Sequence, residues 1–317
     1  MAQFLPVFAS PSGEANTLDA YDAVLRRWPV AYEELDISTS FGITHVIASG
    51  QEDAEPVVLL HAYFATATSW YHTVGALSEY YRVYAVDVVG DVGKSRPTRP
   101  IRNLDDYAQW LAELNDGLGV SHMHLVGNSV GGFIAAGCAM RLKDRVRKLV
   151  LIGPAATFHP MPAFYVHMFI PKLLYLVLPW MPGYRHAMNR AVDWMNAGLP
   201  SDGPWDELFR LSLLHGKGTN QVFPRVYSAN ELAQIEAPTL LVIGEHEKIY
   251  PPLDAIQSAI RLMPGITTGL IPGAHHIAGV AQPELVNTRL LAFLTGSERR
   301  QQPQGAGAIA CPTRASS

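Results

Sequence analysis

The apolar positions of this chain follow two patterns that alternate along most of its length. A continuous apolar run, typical of a strand buried on both faces, occurs at 56–60, and further strands are predicted at 82–87, 124–127, 148–152, 239–243 and 267–271. Apolar residues at helical spacing occur at 14–28, 69–80, 104–118, 132–142, 253–262 and 283–294. Two more strands are predicted at 32–39 and 43–49. The alternation predicts an α/β fold, in which a mostly parallel sheet carries helices on both faces.

The alternation breaks between Gly153 and about Ala237. This stretch has no strong strand signal, and its helical segments are rich in Met, Phe, Tyr and Trp and are interrupted by prolines. An insertion of this kind between two core strands predicts a helical cap over the carboxyl edge of the sheet, where ligands bind in such folds. The predicted organisation is a core of residues 1–153 and 237–295, a cap of residues 154–236, and a disordered polar tail of residues 296–317.

Composition and charge exclude several classes of protein. A net charge of −4 gives no electrostatic footprint for nucleic acid. The longest apolar stretch, Met168 to Met181, is too short to span a bilayer, and the first ten residues do not look like a secretory signal. Only Cys138 and Cys311 are present, which excludes a disulfide framework and fits a reducing, cytoplasmic location.

The candidate chemistry begins at the predicted strand 124–127. That strand leads into Gly127-Asn128-Ser129-Val130-Gly131, which has the Gly-x-Ser-x-Gly pattern of a nucleophile elbow. In such an elbow the serine lies on a sharp turn between strand and helix, and the glycines allow the backbone to bend. The hydroxyl is then exposed, and the N-terminus of the helix favours negative charge next to it. The pattern therefore predicts Ser129 as a nucleophile.

A serine hydroxyl is a weak nucleophile at neutral pH, so it needs a base and a group that orients the base. After the strand that ends at residue 243, the chain reads Gly-Glu-His-Glu, which places Glu245 and Glu247 in one loop. After the last strand it reads Pro-Gly-Ala-His-His, which ends in His275 and His276. Both loops follow the carboxyl ends of strands, on the same edge as Ser129. Asp254, in the first turn of a predicted helix, is a further candidate for the acid.

These motifs resemble the α/β-hydrolase superfamily, in particular its capped carboxylesterase-like branch. The resemblance extends from about Trp28 to Leu294 and includes the loop from Asp87 to Ser95. It implies Ser129 as nucleophile, Glu247 as acid and His276 as base.

The sequence departs from the pattern of this superfamily at three places. The acid is more often Asp than Glu. His275 occupies the second glycine position of the usual Gly-x-Gly-His, and His61-Ala62 replaces the usual His-Gly.

The oxyanion of the tetrahedral intermediate is expected to bind two backbone N–H groups. The first is that of Val130, directly after the nucleophile, and the second is that of Tyr63, in the loop after the strand at 56–60. We interpret His61 as a residue that hydrogen-bonds this loop, and Asp87 and Ser95 as residues that shape the loop that follows the next strand.

No metal or organic cofactor is expected. His122 and His124 alternate at the start of a strand, but the sequence offers no third ligand near them.

The sequence thus predicts a serine hydrolase that cleaves small-molecule carboxylic esters of short to medium acyl chain. An apolar pocket is expected from five cap residues, namely Phe164, Tyr165, Met168, Phe169 and Trp194. A lactonase, a C–C bond hydrolase or a perhydrolase could use the same triad, and a ligand receptor with this fold would carry the same motifs. Epoxide hydrolase chemistry is excluded because it needs Asp at the position of Ser129. The oligomeric state stays open.

Overall fold

A computed structural model of the chain describes residues 3–170, 183–199 and 202–297. Its centre is a mixed sheet with the strand order β1-β2-β4-β3-β6-β7-β8-β9, and β5 pairs with β2 at one edge. The strands are β1 (Tyr32–Thr39), β2 (Gly42–Ser49), β3 (Pro56–Leu60), β4 (Arg82–Val86), β5 (Arg96–Pro97), β6 (Met123–Asn128), β7 (Val146–Ile152), β8 (Thr239–Gly244) and β9 (Thr267–Ile271).

The central part of the sheet is parallel, as the alternation of strands and helices predicts. Strands β4, β3, β6, β7, β8 and β9 pair in parallel, and β2 is antiparallel to both β1 and β4. The carboxyl ends of β3, β6, β8 and β9 therefore meet at one edge of the sheet, which is where the predicted functional loops begin.

Helices connect these strands and cover both faces of the sheet. They are α1 (Pro11–Leu25), α2 (Tyr71–Ser78) after a 3₁₀ turn at Ala67–Trp70, α3 (Leu104–Gly117), α4 (Val130–Ala139), α5 (Pro162–Phe164) continued by a π turn at Tyr165–Phe169, α6 (Tyr184–Met195), α7 (Gly203–His215), α8 (Ala229–Leu232), α9 (Pro252–Leu262), α10 (Ala278–Ala281) and α11 (Pro283–Thr295).

Alternate side chains of each central strand enter two separate apolar layers. In β3, Val57 and Leu59 pack into the layer that holds α1, α2 and α11. Val58 and Leu60 pack into the opposite layer, with α3, α4 and α9. All four side chains are fully buried, which explains why the strand reads as a continuous apolar run rather than an alternating one.

The chain between β7 and β8 forms no strand in its described part, and it contains helices α5 to α8. We call residues 153–238 the helical insert. Tyr227, just before helix α8, joins the insert to the core. Its ring stacks on Phe133 of α4 at 4.8 Å between centroids, and its hydroxyl donates to the Phe133 carbonyl at 3.0 Å. The predicted stretch Met168–Met181 lies largely outside the described residues, as does most of the predicted tail.

The predicted and observed elements differ mainly at their ends. Helix α1 begins at Pro11 rather than at residue 14, because the Ser10 hydroxyl accepts from the Gly13 N–H at 3.1 Å and proline suits the first helical position. The single helix predicted at 69–80 is a 3₁₀ turn followed by α2. Among the described helices, none combines the length and the apolar character that crossing a bilayer requires.

Candidate active site

The elbow is built by the close approach of three backbone segments. Ser129 lies between β6 and α4 with φ 53° and ψ −117°, a strained conformation for a residue with a Cβ. A Cβ at Gly127 would lie 2.2 Å from the Gly131 carbonyl oxygen, and a Cβ at Gly131 would lie 2.2 Å from the Leu60 carbonyl oxygen. Both glycines of the motif are therefore required for the turn to close against β3.

Three side chains from three loops form one chain of hydrogen bonds. Ser129 Oγ lies 2.8 Å from His276 Nε2, and His276 Nδ1 lies 2.7 Å from Glu247 Oε2. His276 and Ser129 are both buried. This is the nucleophile–base–acid arrangement that general-base activation of a serine requires.

The carboxylate of Glu247 is buried away from solvent. Its side chain is 0% exposed, and its second carboxylate oxygen, Oε1, accepts from the Ile249 N–H at 2.8 Å. A carboxylate buried to this extent needs partners on both oxygens, and here the imidazole and a backbone N–H provide them.

The two alternative acids lie elsewhere. Glu245 Oε2 accepts from the Gly273 N–H at 2.9 Å, and its side chain is half exposed. Asp254 is exposed in the first turn of α9, where its charge complements the helix dipole. Neither is hydrogen-bonded to His276, whose Nδ1 bonds Glu247.

The neighbouring His275 is fully buried and has a different partner. Its Nδ1 accepts from the Ile277 N–H at 3.2 Å. This hydrogen bond links the residue before His276 to the residue after it. Burial, and secondly the nearby His276, lower the pKa of His275 to about 4. His275 is therefore neutral at physiological pH, as an acceptor at Nδ1 must be.

The two predicted oxyanion donors belong to residues that line the same cavity as Ser129. Val130 is the first residue of α4, so its N–H has no acceptor inside the helix. Tyr63 lies in the turn after β3.

The turn that carries Tyr63 is fixed by hydrogen bonds to the loop after β4. His61 accepts from the Val88 N–H at Nε2 (2.9 Å) and donates from Nδ1 to the Ala62 carbonyl (2.8 Å). Burial lowers the pKa of His61, which keeps its ring neutral as this pattern requires. Asp87 accepts from the Ala67 N–H at 2.7 Å. These hydrogen bonds agree with the interpretation of His61 and Asp87 as residues that hold the two loops in place.

Sequence reasoning did not single out Asp91, which acts in the same network. Its buried carboxylate accepts from the N–H of Phe64 at 3.2 Å and from the N–H of Val92 at 2.8 Å. Phe64 follows Tyr63 directly and has a positive φ of 58°. The Asp91 carboxylate thus stabilises an unfavourable backbone conformation next to a predicted oxyanion donor. In the sequence, the available signal was an acidic residue in a glycine-rich loop. Its partner Phe64, however, lies 27 residues away along the chain.

The space above Ser129 is a cavity of about 610 Å³ with a predominantly apolar lining. We call it the catalytic cavity. Its walls from the helical insert include Met161, Phe164, Met168, Met195, Phe209 and Leu213. Of the predicted pocket residues, Phe164 and Met168 lie here.

The other predicted pocket residues lie elsewhere. Tyr165 lines a neighbouring cavity. Trp194 lines neither of these two cavities, and its ring stacks on His167 at 4.3 Å between centroids. The side chain of Phe169 lies outside the described residues.

The histidine pair at the start of β6 does not form a ligand set. His122 is exposed and bonds Ser121, whereas His124 is buried with Nε2 3.3 Å from Glu55. Within the part of the chain that the structure describes, no three His, Cys, Asp or Glu side chains are grouped to hold a metal ion.

Comparison with known proteins gives the same family as the motifs. The sequence model of the alpha/beta hydrolase fold matches residues 55–192. Carboxylesterase YbfK of Bacillus subtilis (strain 168) is 34% identical over 293 residues, which cover 91% of this chain and 97% of that protein. The uncharacterized carboxylesterase nap of the same organism is 36% identical over 282 residues, which cover 86% and 90%.

The solved structures agree with the sequence comparison. The crystal structure of carboxylesterase CesB (YbfK) from Bacillus subtilis matches with a TM-score of 0.82 at 32% identity, and the match covers 90% of this chain and 99% of that one. The predicted resemblance and fold class are thus confirmed: the chain belongs to the α/β-hydrolase superfamily, among its carboxylesterases.

Proposed function

We propose that this protein is a carboxylic ester hydrolase in which Ser129 is the nucleophile, His276 the general base and Glu247 the acid that orients the base. The observation that carries the proposal is the chain of hydrogen bonds from Ser129 Oγ through the His276 ring to Glu247. The similarity to proteins named carboxylesterases supports ester hydrolysis over the other reactions that such a triad can perform.

The proposed mechanism has two halves. Ser129 Oγ attacks the ester carbonyl carbon while His276 Nε2 takes the hydroxyl proton, and Glu247 stabilises the imidazolium that forms. The N–H groups of Val130 and Tyr63 donate to the oxyanion. As the C–O bond breaks, His276 gives its proton to the departing alcohol. Water, deprotonated by His276, then attacks the acyl-enzyme and releases the acid and Ser129.

Glu247 is preferred over Glu245 and Asp254 because of its surroundings. It is buried and bonded to His276, whereas the other two carboxylates are solvated and bonded elsewhere or exposed. A charge in a water-poor site stabilises an imidazolium far more than one in solvent.

We propose that the enzyme prefers esters of short to medium acyl chain and that the helical insert sets this preference. We place the cap at residues 154–236, over a core of 1–153 and 237–295. The insert lines the catalytic cavity with apolar side chains, which suit the uncharged groups of a small ester. The proposed partner is a small-molecule ester, with neither nucleic acid nor a membrane involved in recognition.

We also propose a cytoplasmic location. Cys138 is a free thiol buried in α4, and burial raises its pKa to about 12, which suits a structural thiol in a reducing compartment. Fractionation of cells that express the tagged protein tests this, and recovery from the secreted or periplasmic fraction would contradict it.

The experiment for the function is a series of p-nitrophenyl esters from acetate to palmitate. Turnover should be highest for the short and medium esters, and Ser129→Ala should lower kcat by roughly three orders of magnitude or more without unfolding the protein. Equal activity of Ser129→Ala would end the proposal. Preference for palmitate, with activation at a lipid interface, would indicate a lipase instead.

A further inference from the structure

Helix α7 of the helical insert forms one wall of the catalytic cavity. Phe209 and Leu213 line this cavity, and their spacing places them on the same face of the helix. One turn earlier, Trp205 is fully buried, and its ring stacks on Phe209 at 5.2 Å between centroids. The position of α7 therefore sets the position of this wall.

Helix α7 is held at both of its ends by the first helix of the chain, α1. At one end Gly13 lies so close to His215 that a Cβ on the glycine would be 2.8 Å from His215 Cγ. The Ala9 N–H donates to the His215 carbonyl at 2.8 Å at the same end. At the other end Arg27, just after α1, pairs with Asp202, just before α7. The two helices therefore run antiparallel.

The two ends of this contact depend on different forces. The end at His215 is joined by a backbone hydrogen bond and by close packing, which depend little on charge. The other end is joined by an ion pair, in which Arg27 Nη1 donates to Asp202 Oδ1. The Asp202 side chain is 15% exposed, and the Arg27 guanidinium lies over the Tyr71 ring, 5.1 Å from its centroid. We call Arg27 and Asp202 the ionic latch.

The ionic latch is connected to the cavity wall through the first turn of α7. Asp202 is the N-cap of this helix, and its Oδ1 also accepts from the Trp205 N–H at 3.4 Å. The same carboxylate oxygen thus joins the core, through Arg27, to the turn that carries Trp205. Because Trp205 stacks on Phe209, a displacement of Asp202 also displaces the wall of the catalytic cavity.

We propose that the ionic latch determines substrate preference: Arg27 and Asp202 are positioning residues that hold α7 in place and so limit the length of the acyl chain that the catalytic cavity accepts. Neither of them lines that cavity, so they act on the substrate through Phe209. The inference rests on the proposed function, because it concerns the acyl-chain preference of the same site.

The test compares two arginines that are neighbours in the sequence. Arg27→Met keeps the apolar stem of the side chain but removes the guanidinium, and Arg26→Met does the same to the exposed arginine beside it. Asp202→Asn keeps an oxygen that can cap α7, so it separates the loss of the ion pair from the loss of the cap. The readout is kcat/KM for p-nitrophenyl octanoate divided by kcat/KM for p-nitrophenyl acetate. This ratio does not depend on the fraction of the enzyme that is folded.

Arg27→Met and Asp202→Asn should each raise the ratio about 3-fold, and the double variant should raise it no further, because both changes remove the same ion pair. Arg26→Met should leave the ratio within about 1.5-fold of the wild type, and kcat for the acetate should change less than about 2-fold throughout. Salt screens exposed ion pairs, so about 1 M NaCl should raise the ratio of the wild type but not that of Arg27→Met.

Three results would each overturn the assignment. They are an unchanged ratio in Arg27→Met, an equal rise in Arg26→Met, and additive effects of Arg27→Met and Asp202→Asn. A lower kcat for both esters at an unchanged ratio would show that the ion pair serves only the stability of the fold. Ester hydrolysis that persists in Ser129→Ala would instead defeat the proposed function, so the two failures are distinguishable.

Discussion

The carboxyl edge of the sheet and the helical insert contribute to the same cavity in different ways. The sheet edge supplies the polar atoms, and each of them is fixed by further hydrogen bonds: Ser129 donates its N–H to the Ile152 carbonyl at 2.9 Å, and Glu247 accepts from Ile249. The insert supplies apolar walls such as Met168, Phe209 and Leu213, which are held by packing.

The sheet edge and the insert therefore have different roles. Hydrogen bonds fix direction as well as distance, which catalysis requires, whereas apolar packing fixes mainly volume. Changes at the sheet edge should therefore lower kcat, and changes in the insert should alter substrate preference. The insert is itself anchored to the core, since the Ala9 N–H donates to the His215 carbonyl at 2.8 Å and Arg27 pairs with Asp202.

The largest expected effect tests the proposed acid at the sheet edge. Glu247→Gln keeps the shape of the side chain but removes the charge that stabilises the imidazolium, so kcat should fall by roughly two to four orders of magnitude with KM near that of the wild type. Glu245→Gln and Asp254→Asn are the matched controls and should stay within about 2-fold of the wild type. Steady-state kinetics on p-nitrophenyl butyrate measures all three. If one of the controls loses its activity while Glu247→Gln stays active, the assignment of Glu247 as the acid is wrong.

The second prediction concerns pH and the buried histidines of the core. Burial lowers the pKa of His61, His124 and His275, the last to about 4. Between about pH 6.5 and pH 4 the unfolded chain binds protons at these sites that the folded protein does not bind. The free energy of unfolding should therefore be highest above pH 6.5 and fall as the pH decreases, by on the order of 3 kcal/mol for His275 alone by pH 4.

Urea unfolding at several pH values measures this dependence. His275→Asn should reduce the slope against pH, because it removes one of the titrating sites. A free energy of unfolding that stays constant from pH 7 to pH 4.5 would show that these rings are not buried as neutral groups.

The third prediction separates the two neighbouring histidines. His275→Ala removes the acceptor of the Ile277 N–H and leaves space next to His276, so kcat should fall about 10-fold with little change in KM. His275→Asn retains an acceptor oxygen at a similar distance from the backbone and should recover most of the activity. If alanine and asparagine lower kcat equally, the hydrogen bond to Ile277 does not position His276.

The smallest effect is expected in the insert. Met168→Ala removes apolar contact surface from the catalytic cavity, so KM for p-nitrophenyl butyrate should rise roughly 3- to 5-fold while kcat changes less than about 2-fold. Val166→Ala, on the exposed side of the same helical turn, is the control and should change neither constant. A fall in kcat of Met168→Ala comparable to that of Glu247→Gln would remove the distinction between the two regions.

The sequence predicts the sheet edge better than the insert, for a physical reason. Gly127 and Gly131 have to be glycine because a Cβ at either would collide with backbone, so the elbow is visible in the sequence. The strands β8 and β9 are both predicted from the sequence, which places Glu247 and His276 in the loops directly after them. The lining of the catalytic cavity brings together residues that are far apart in the sequence, such as Phe209 and Ala62, and many apolar residues could fill these positions.

Two features of the core could also not be predicted from the sequence. The strand order and the antiparallel pairing of β2 with β4 depend on long-range packing. The contact of Asp91 with Phe64 stabilises a positive φ that no local propensity would predict for phenylalanine.

The central claim is that Ser129 is the nucleophile and that His276 activates it. The most direct measurement is mass spectrometry of the protein after reaction with a fluorophosphonate, followed by peptide mapping. A single adduct should form on the peptide that contains Ser129, and it should be absent in Ser129→Ala. In His276→Ala the adduct should form at least roughly a hundredfold more slowly, because the hydroxyl then lacks its base. An adduct on another residue, or labelling and esterase activity that persist in Ser129→Ala, would contradict the account.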